Sequence, residues 1–314
     1  NHYLFFDGEN HPLLSPVKRH DWGHPVRKDG STRRHYATYP RLSRMLATYG
    51  EALALSRPKT VATVGFLLDF FMTEVNNACT QETTNVLTHQ RETILFDFIA
   101  RGLALTHRPF DAVELRLAEL SVVKHPVLWA MMERPCDAAI QQKLLDYVRA
   151  GGRLILVGRL CVEDEEGRPC TLLKDALGVE RIQGGRPFVQ TEIHAFEQRD
   201  ILASFVETYA GAFAEVFAVD GEGGVVGFVQ PIGEGLAMML GAAFAANTLE
   251  DLAVFHRMAN RMGCAPLFEL SEWADVHLCE GDRGSFLFIN NYREEPLETT
   301  VTCAGAPLFE GQPV

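Results

Sequence analysis

The chain has 314 residues, 47% hydrophobic and 22% charged, which is ordinary globular composition and enough length for roughly two or three domains. Its 41 acidic residues outnumber 29 basic ones, giving a net charge of −12. An acidic surface repels phosphate backbones, so nucleic acid is not an expected partner, and no stretch approaches the roughly twenty uninterrupted apolar residues of a membrane span. The opening residues, Asn1 to Phe6, read as a strand. About thirty residues rich in His, Pro, Gly and charge follow, from Asp7 to Pro40, a length that in a compact domain marks a functional or binding loop. Leu42, Met45, Leu46, Tyr49 and Leu53 then predict a helix over Arg41–Ser56. Strand, loop and helix make one βα unit, which is not a domain by itself.

From Pro58 the texture becomes alternating. The β-branched run Lys59–Asp69, then Phe110–Leu115, Pro126–Met132 and Arg153–Gly158, read as buried strands. Helices are expected over Gln90–His107, with Ile94, Leu95, Phe98, Ile99 and Leu103 on one side, and over Cys136–Ala150, stopped by Gly151-Gly152. Strands alternating with helices imply right-handed βαβ units and a parallel sheet covered on both faces, a flavodoxin-like or Rossmann-like α/β layer. After a short helix at Leu172–Leu177, residues 185–246 read mostly as strands. They include a hairpin of Glu215–Val219 with Val225–Gln230 about the Gly221–Gly224 turn, and Gly235–Ala246 as a buried strand of the main sheet. Thr248–Met262 is a helix capped by Asn247 or Thr248 and stopped by Gly263. His277–Glu280, Gly284–Asn290 and Leu297–Thr302 begin a β module. The expected organisation is 1–57, 58–265 and 266–314, with both chain ends reading as interior sequence of a longer protein.

Three groups of residues carry possible chemistry. The first is the loop after the opening strand, where Asp7, Glu9, Asn10, Asp21, Trp22 and His24 gather carboxylates, amides and an aromatic. In a βα barrel such a strand end is the catalytic face, and Trp with Asn or Asp suits a sugar, ring face to aromatic and hydroxyls to polar groups. A solvated crossover loop fits the same residue types equally well.

The second is Cys161 in Gly158-Arg159-Leu160-Cys161-Val162-Glu163 after a strand. A nucleophilic cysteine needs a sharp glycine-flanked turn and a histidine to lower its pKa. Cys161 has no flanking glycine at that spacing, and neither His194 nor His256 begins a His-x-Glu, so a structural cysteine is the expectation. The third, Gly221-Glu222-Gly223-Gly224, lacks the helix and lysine of a phosphate loop and reads as a turn. The seven cysteines contain no C-x-x-C pair, and the lone histidines His107 and His256 suggest packing, so no metal and no cofactor is assigned. Scattered free cysteines favour a reducing, cytoplasmic compartment, or a periplasmic or secreted one if a signal lies upstream.

Asn1-His2-Tyr3-Leu4-Phe5-Phe6-Asp7-Gly8-Glu9-Asn10 resembles the N-Y-Y-x-F-x-G-G-T-N segment at the eighth barrel strand of family-35 β-galactosidases. Asp21–Val26, Asp29-Gly30, Arg34 and Tyr36 are similar to that family's D-x-x-A-P-I-x-E-x-G-x-x-R-x-x-Y-x-x-L. The match covers about fifty residues and departs at Asp7 and Glu9, in place of Gly and Thr, and at His24, in place of Ala. The rest resembles the class I amidotransferase-like, flavodoxin-like domain that follows the barrel in bacterial β-galactosidases, family 42 included, where it serves trimer formation.

The resemblance implies the last βα unit of a (β/α)8 barrel, then the α/β domain, then the start of a C-terminal β domain. It implies a retaining glycosidase with two glutamates about 5–5.5 Å apart, both contributed upstream of Asn1, and a dimer or trimer. Tyr3, Glu9, Asn10 and Trp22 would line the sugar subsite, with Glu9 a catalytic alternative. On this reading the fragment scaffolds hydrolysis of a terminal β-linked galactose or similar sugar. The alternatives are a stand-alone carbohydrate-binding or assembly module and a Cys161 hydrolase.

Overall fold

The computed structural model describes residues 5–13, 16–17, 19–20, 23–71, 81–186, 188–303 and 306–310. The chain divides into two compact units, one of residues 1–58 with 278–287, the other of residues 59–277 with 288–314.

In the first unit the expected opening strand is represented, among the described residues, by a single bridge between Phe6 and Val26. Beyond it Gly8 and Glu9 pair antiparallel with His20 and Arg19. A tight turn at Arg34–Ala37 leads into α1, Thr38–Leu55. It starts three residues before the expected Arg41, because Pro40 is tolerated in a first helical turn, where the missing N–H has no partner to lose. Cys279 and Glu280 pair antiparallel with Pro58 and Arg57.

The second unit is built on a twelve-stranded sheet. Its strands are β1 (Ala62–Phe66), β2 (Phe110–Glu114), β3 (Val127–Met132), β4 (Arg153–Gly158), β5 (Val179–Gly184), β6 (Thr191–Ala195), β7 (Gln198–Ala203), β8 (Phe205–Gly211), β9 (Glu215–Asp220), β10 (Val225–Ile232), β11 (Gly235–Leu240) and β12 (Ala242–Ala243). The order β2-β1-β3-β4-β11 is parallel throughout. From β11 the sheet continues antiparallel as β10-β9-β6-β7, with β8 pairing β10, β12 and β5. The sheet is therefore mixed rather than purely parallel. Between β4 and β11 the chain makes an antiparallel excursion where a single crossover helix would have kept every strand parallel.

Residues of β3 are buried along its whole length, and Leu154 to Val157 of β4 are fully buried. Such strands are covered on both faces, which is why they read as unbroken apolar runs. The covering helices are α2, α3 (Ala138–Arg149), α4 (Leu172–Ala176) and α5 (Leu249–Arg261). α2 runs through Gln81–Gln90, a π-wound segment Arg91–Ala100, and Arg101–Leu105. Its start lies nine residues before the expected one, since the first turns carry few apolar residues and show no helical stripe. Gly102 lets α2 meet α5, because a Cβ there would lie 2.5 Å from the Phe255 ring.

Thr248 caps α5 reciprocally. Its hydroxyl accepts from the Asp251 amide at 3.1 Å, and the Asp251 carboxylate accepts from the Thr248 amide at 2.9 Å. The Gly221–Gly224 turn is closed by Asp220, whose carboxylate accepts from Glu222 and Gly224 amides. A separate three-stranded sheet joins β13 (Phe268–Leu270), β14 (Thr300–Cys303) and β15 (Ala306–Glu310) in that order. Among the described residues, no helix is long and apolar enough to cross a membrane.

Candidate functional site

Of the four residues expected to line a sugar subsite, Tyr3 and Trp22 lie outside the described residues. Glu9 and Asn10 stand side by side at the end of the short ladder. The Glu9 carboxylate is exposed and pairs with Lys28 at 2.7 Å, while the Asn10 amide donates to the Val17 carbonyl at 2.8 Å.

The buried chemistry of this unit lies one residue earlier. Asp7 is 6% exposed, with Oδ1 2.8 Å from Nδ1 of His24 and Oδ2 2.7 Å from the Arg33 guanidinium. The Arg33 guanidinium also donates to the His24 carbonyl. Asp29 accepts from the Ser31 amide and hydroxyl, which holds its carboxyl below the usual range and makes the Asp29-Gly30 pair a turn. Phe5 packs edge-on against Tyr39 at 5.4 Å, beside a cavity of about 270 Å³ lined by His35, Thr38, Tyr39 and Leu42.

In the second unit the sheet reverses its winding at β1, which has β2 on one side and β3 on the other. Ligand crevices of open α/β sheets form outside the carboxyl ends of strands at such a point. Here the strand ends supply Asp69 after β1, Glu133 and Arg134 after β3, and Arg159 after β4. Two cavities of about 260 and 380 Å³ open there and share Leu87, Glu133 and Pro135. Asp69 lines the smaller one and forms an ion pair with Arg116, which also holds Glu165.

Glu133 is 3% exposed; its Oε1 pairs with Arg159 and accepts from the Arg134 amide at 2.8 Å. Burial pushes its carboxyl above the usual range despite the two arginines. Glu207, fully buried on β8, pairs with Arg134 at 2.6 Å and accepts from the Leu160 amide and the Tyr209 hydroxyl, both at 2.9 Å. Burial raises its pKa as well. Neither ion pair was visible as a motif, since the partners lie on different strands; the sequence signal was only that polar residues follow each buried strand.

Cys161 is fully buried, and its thiol is pushed well up by a hydrogen bond with Cys136 and then by burial. Gly158, at φ +122°, makes the preceding turn, where a Cβ would lie 2.3 Å from the Met132 carbonyl. The turn lies at Gly158, three residues before Cys161 rather than at it, and His256 lies 3.4 Å from the Arg108 guanidinium while His194 sits on β6 near Glu192. Among the described residues one cluster could hold a metal ion, exposed Glu192 and Asp200 with half-buried His194, their ligand atoms within 4.8 Å of one another. The described cysteines are all free.

A family described as "GLMA-like, second domain" matches residues 78–209. The chain is 34% identical over 188 residues to an exo-β-D-glucosaminidase of Thermococcus kodakarensis, covering 57% of this chain and 23% of that protein. It is 24% identical over 275 residues to a β-1,2-glucosyltransferase of Ignavibacterium album, covering 83% of this chain and 38% of that one. In fold it is similar to a β-galactosidase from Bacillus circulans sp. alkalophilus, with a TM-score of 0.72 at 16% identity, covering 99% of this chain and 47% of that one. The chain thus spans less than half the length of these relatives, and its similarity is to carbohydrate-active enzymes.

Proposed function

We propose that this chain is the scaffold and assembly portion of a glycoside hydrolase, and that the parallel β2-β1-β3-β4-β11 layer is a flavodoxin-like, amidotransferase-like domain without amidotransferase chemistry. The observation that carries the reading is at the strand ends. The order 2-1-3-4 followed by a fifth parallel strand supports the flavodoxin-like reading of this layer. Yet Glu133 and Glu207 are each tied to an arginine and Cys161 is a buried, protonated thiol. A thiol becomes a nucleophile only as thiolate.

On this reading, α1 is the last helix of a catalytic barrel. Its apolar stripe Leu42, Met45, Leu46 and Tyr49 is exposed, and none of its residues is buried. A helical stripe of this kind is normally packed against a core. The glutamate pair that cleaves the sugar would come from that barrel, and Glu9 and Asn10 would face its substrate. The substrate class is a terminal β-linked hexose or hexosamine, supported by the glucosaminidase relatives and the β-galactosidase fold.

The α/β domain would join subunits into a dimer or trimer. Light scattering of the purified chain tests this: a mass two or three times 35.0 kDa is expected, and a monomer at tens of micromolar contradicts the assembly role. A stand-alone carbohydrate-binding module is the second reading, favoured only by the aromatic-walled cavity at His35 and Tyr39.

A further inference from the structure

The carboxylates around the β1/β3 reversal are each matched by an arginine: Glu133 by Arg159, Glu207 by Arg134, and Asp69 and Glu165 by Arg116. The hairpin of β6 and β7 is different. Among the described residues, neither Glu192 nor Asp200 has a lysine or arginine within ion-pair distance, and Glu192 faces the imidazole of His194, with Nε2 3.9 Å from its Oε1.

The local fold brings these three side chains to one face. Ile193 and Ala195 of β6 are fully buried, so the alternate residues Glu192 and His194 point outward. β7 runs antiparallel beside β6, with Ile201 opposite Ile193 and Leu202 opposite Glu192, and its register shifts between Gln198 and Ile201. Arg199 and Asp200 thus oppose His194 alone, a bulge of the kind that re-aims a side chain. Asp200 takes up the bend at φ +62°, a left-handed conformation that Asp adopts more readily than most residues. One ligand atom from each of Glu192, His194 and Asp200 then lies within 4.8 Å of the other two. Ligands held about 2.0–2.1 Å from a tetrahedral zinc ion are about 3.3 Å apart, so rotation of the two exposed carboxylates closes the gap.

His194 gives an independent sign of a missing partner. Its Nδ1 is buried with no hydrogen-bond partner among the described residues, and its Nε2 stands beyond hydrogen-bond reach of Glu192. On its other side β9 sets Val219 opposite it, which offers no polar group. Leaving a buried nitrogen unmatched costs about 1–3 kcal/mol, and such groups in native proteins call for a specific explanation such as a water or an ion. A metal ion bound by the ring supplies the strong bond that the protein does not give it.

We propose that Glu192, His194 and Asp200 bind a divalent cation of the zinc class, each giving one ligand atom and water filling the fourth position. The ion would clasp β7, the outer strand of the sheet, to β6. One imidazole nitrogen with two carboxylate oxygens suits zinc, whereas magnesium and calcium favour all-oxygen sets. The two carboxylates balance the charge of a dication. The site is one of binding and hairpin stability, with no bond of a substrate made or broken, and it stands whether or not the chain serves a glycoside hydrolase.

The test is calorimetric titration of the untagged 314-residue chain with zinc chloride and, separately, with magnesium chloride. One saturable zinc site is expected, about tenfold or more tighter than magnesium, with a melting temperature that rises as zinc is added. Loss of even an outer partner of a metal ligand costs about 10–100-fold in affinity, so His194→Gln and Asp200→Asn should each weaken zinc binding by about tenfold or more. In EDTA both variants should melt with the parent, because among the described residues neither side chain makes a hydrogen bond that would be lost. His277, 3.0 Å from Asp275, is the competing surface pair, and His277→Gln should bind zinc as the parent does. Absence of saturable zinc binding would overturn the proposal. So would magnesium binding of equal affinity, parent-like zinc affinity in His194→Gln, or loss of the zinc site in His277→Gln.

Discussion

The Nδ1 of His24 lies 2.8 Å from Oδ1 of Asp7, with both side chains more than nine-tenths buried. These are two of the three positions at which the opening segment departs from the β-galactosidase pattern it resembles, where Gly and Ala stand instead. The departures are partners: a carboxylate in place of Gly would be buried alone without the imidazole and Arg33 beside it.

Because the pair is coupled, the single substitutions Asp7→Gly and His24→Ala should together cost more than the double substitution. Removing Asp7 alone leaves Arg33 with its buried partner gone, a loss of about 3–5 kcal/mol. Urea unfolding of the four variants gives the coupling energy, expected at about 1–3 kcal/mol. Strict additivity would show that the contact does not hold the loop.

Arg108 is a second buried cation, with no carboxylate among the partners it shows. It donates to the Cys264 carbonyl at 2.6 Å, the Asn260 side-chain oxygen at 2.6 Å and the Thr106 carbonyl at 3.2 Å. These acceptors lie at the C-terminal ends of α5 and α2, where helix dipoles leave negative ends, and burial lowers the guanidinium pKa. Arg108→Met should cost about 2–5 kcal/mol, from two carbonyls left without a donor, measurable as a lower urea midpoint.

Glu207 gives a pH dependence whose sign is fixed by its burial. Its folded pKa is raised above the ordinary carboxyl value of 4.5 by burial, which outweighs Arg134. A raised pKa means that the folded state binds the proton more tightly than the unfolded one. The contribution of Glu207 is therefore full below about 4.5 and falls as pH rises through the folded value. The stability difference between wild type and Glu207→Gln should shrink as pH increases from 4 to 8. A difference that grows over that range would mean that the arginine dominates instead.

Cys161 should be inert. Its thiol is buried and held protonated beside Cys136, so iodoacetamide at neutral pH should label it only after unfolding. Rapid labelling in the folded chain, read by mass spectrometry of peptides, would restore it as a nucleophile.

Much of this architecture could be read along the chain. β3 and β4 announced themselves because strands buried on both faces must be apolar at every position, and α5 because Thr248, Asp251 and Gly263 mark its ends chemically. The early turns of α2 were hidden, since Gln81 to His89 carry a polar run whose apolar residues are only Val86 and Leu87. The antiparallel half was legible as strands but not as pairing, which depends on contacts such as Phe228 with Met239 and Val216. At the candidate sites, residue types pointed to Glu9, whereas burial selects Asp7 and Glu133. A strand-end Glu looks ordinary until the fold removes water from it.

The central claim is that this chain scaffolds sugar hydrolysis without performing it. The most direct test is incubation of the purified 314-residue chain with a panel of nitrophenyl glycosides, including the β-galactoside and the β-glucosaminide. The account predicts no release of nitrophenol above the buffer rate from any sugar. Turnover of either β-glycoside that disappears in Glu9→Gln would contradict it, placing a catalytic carboxylate within this chain.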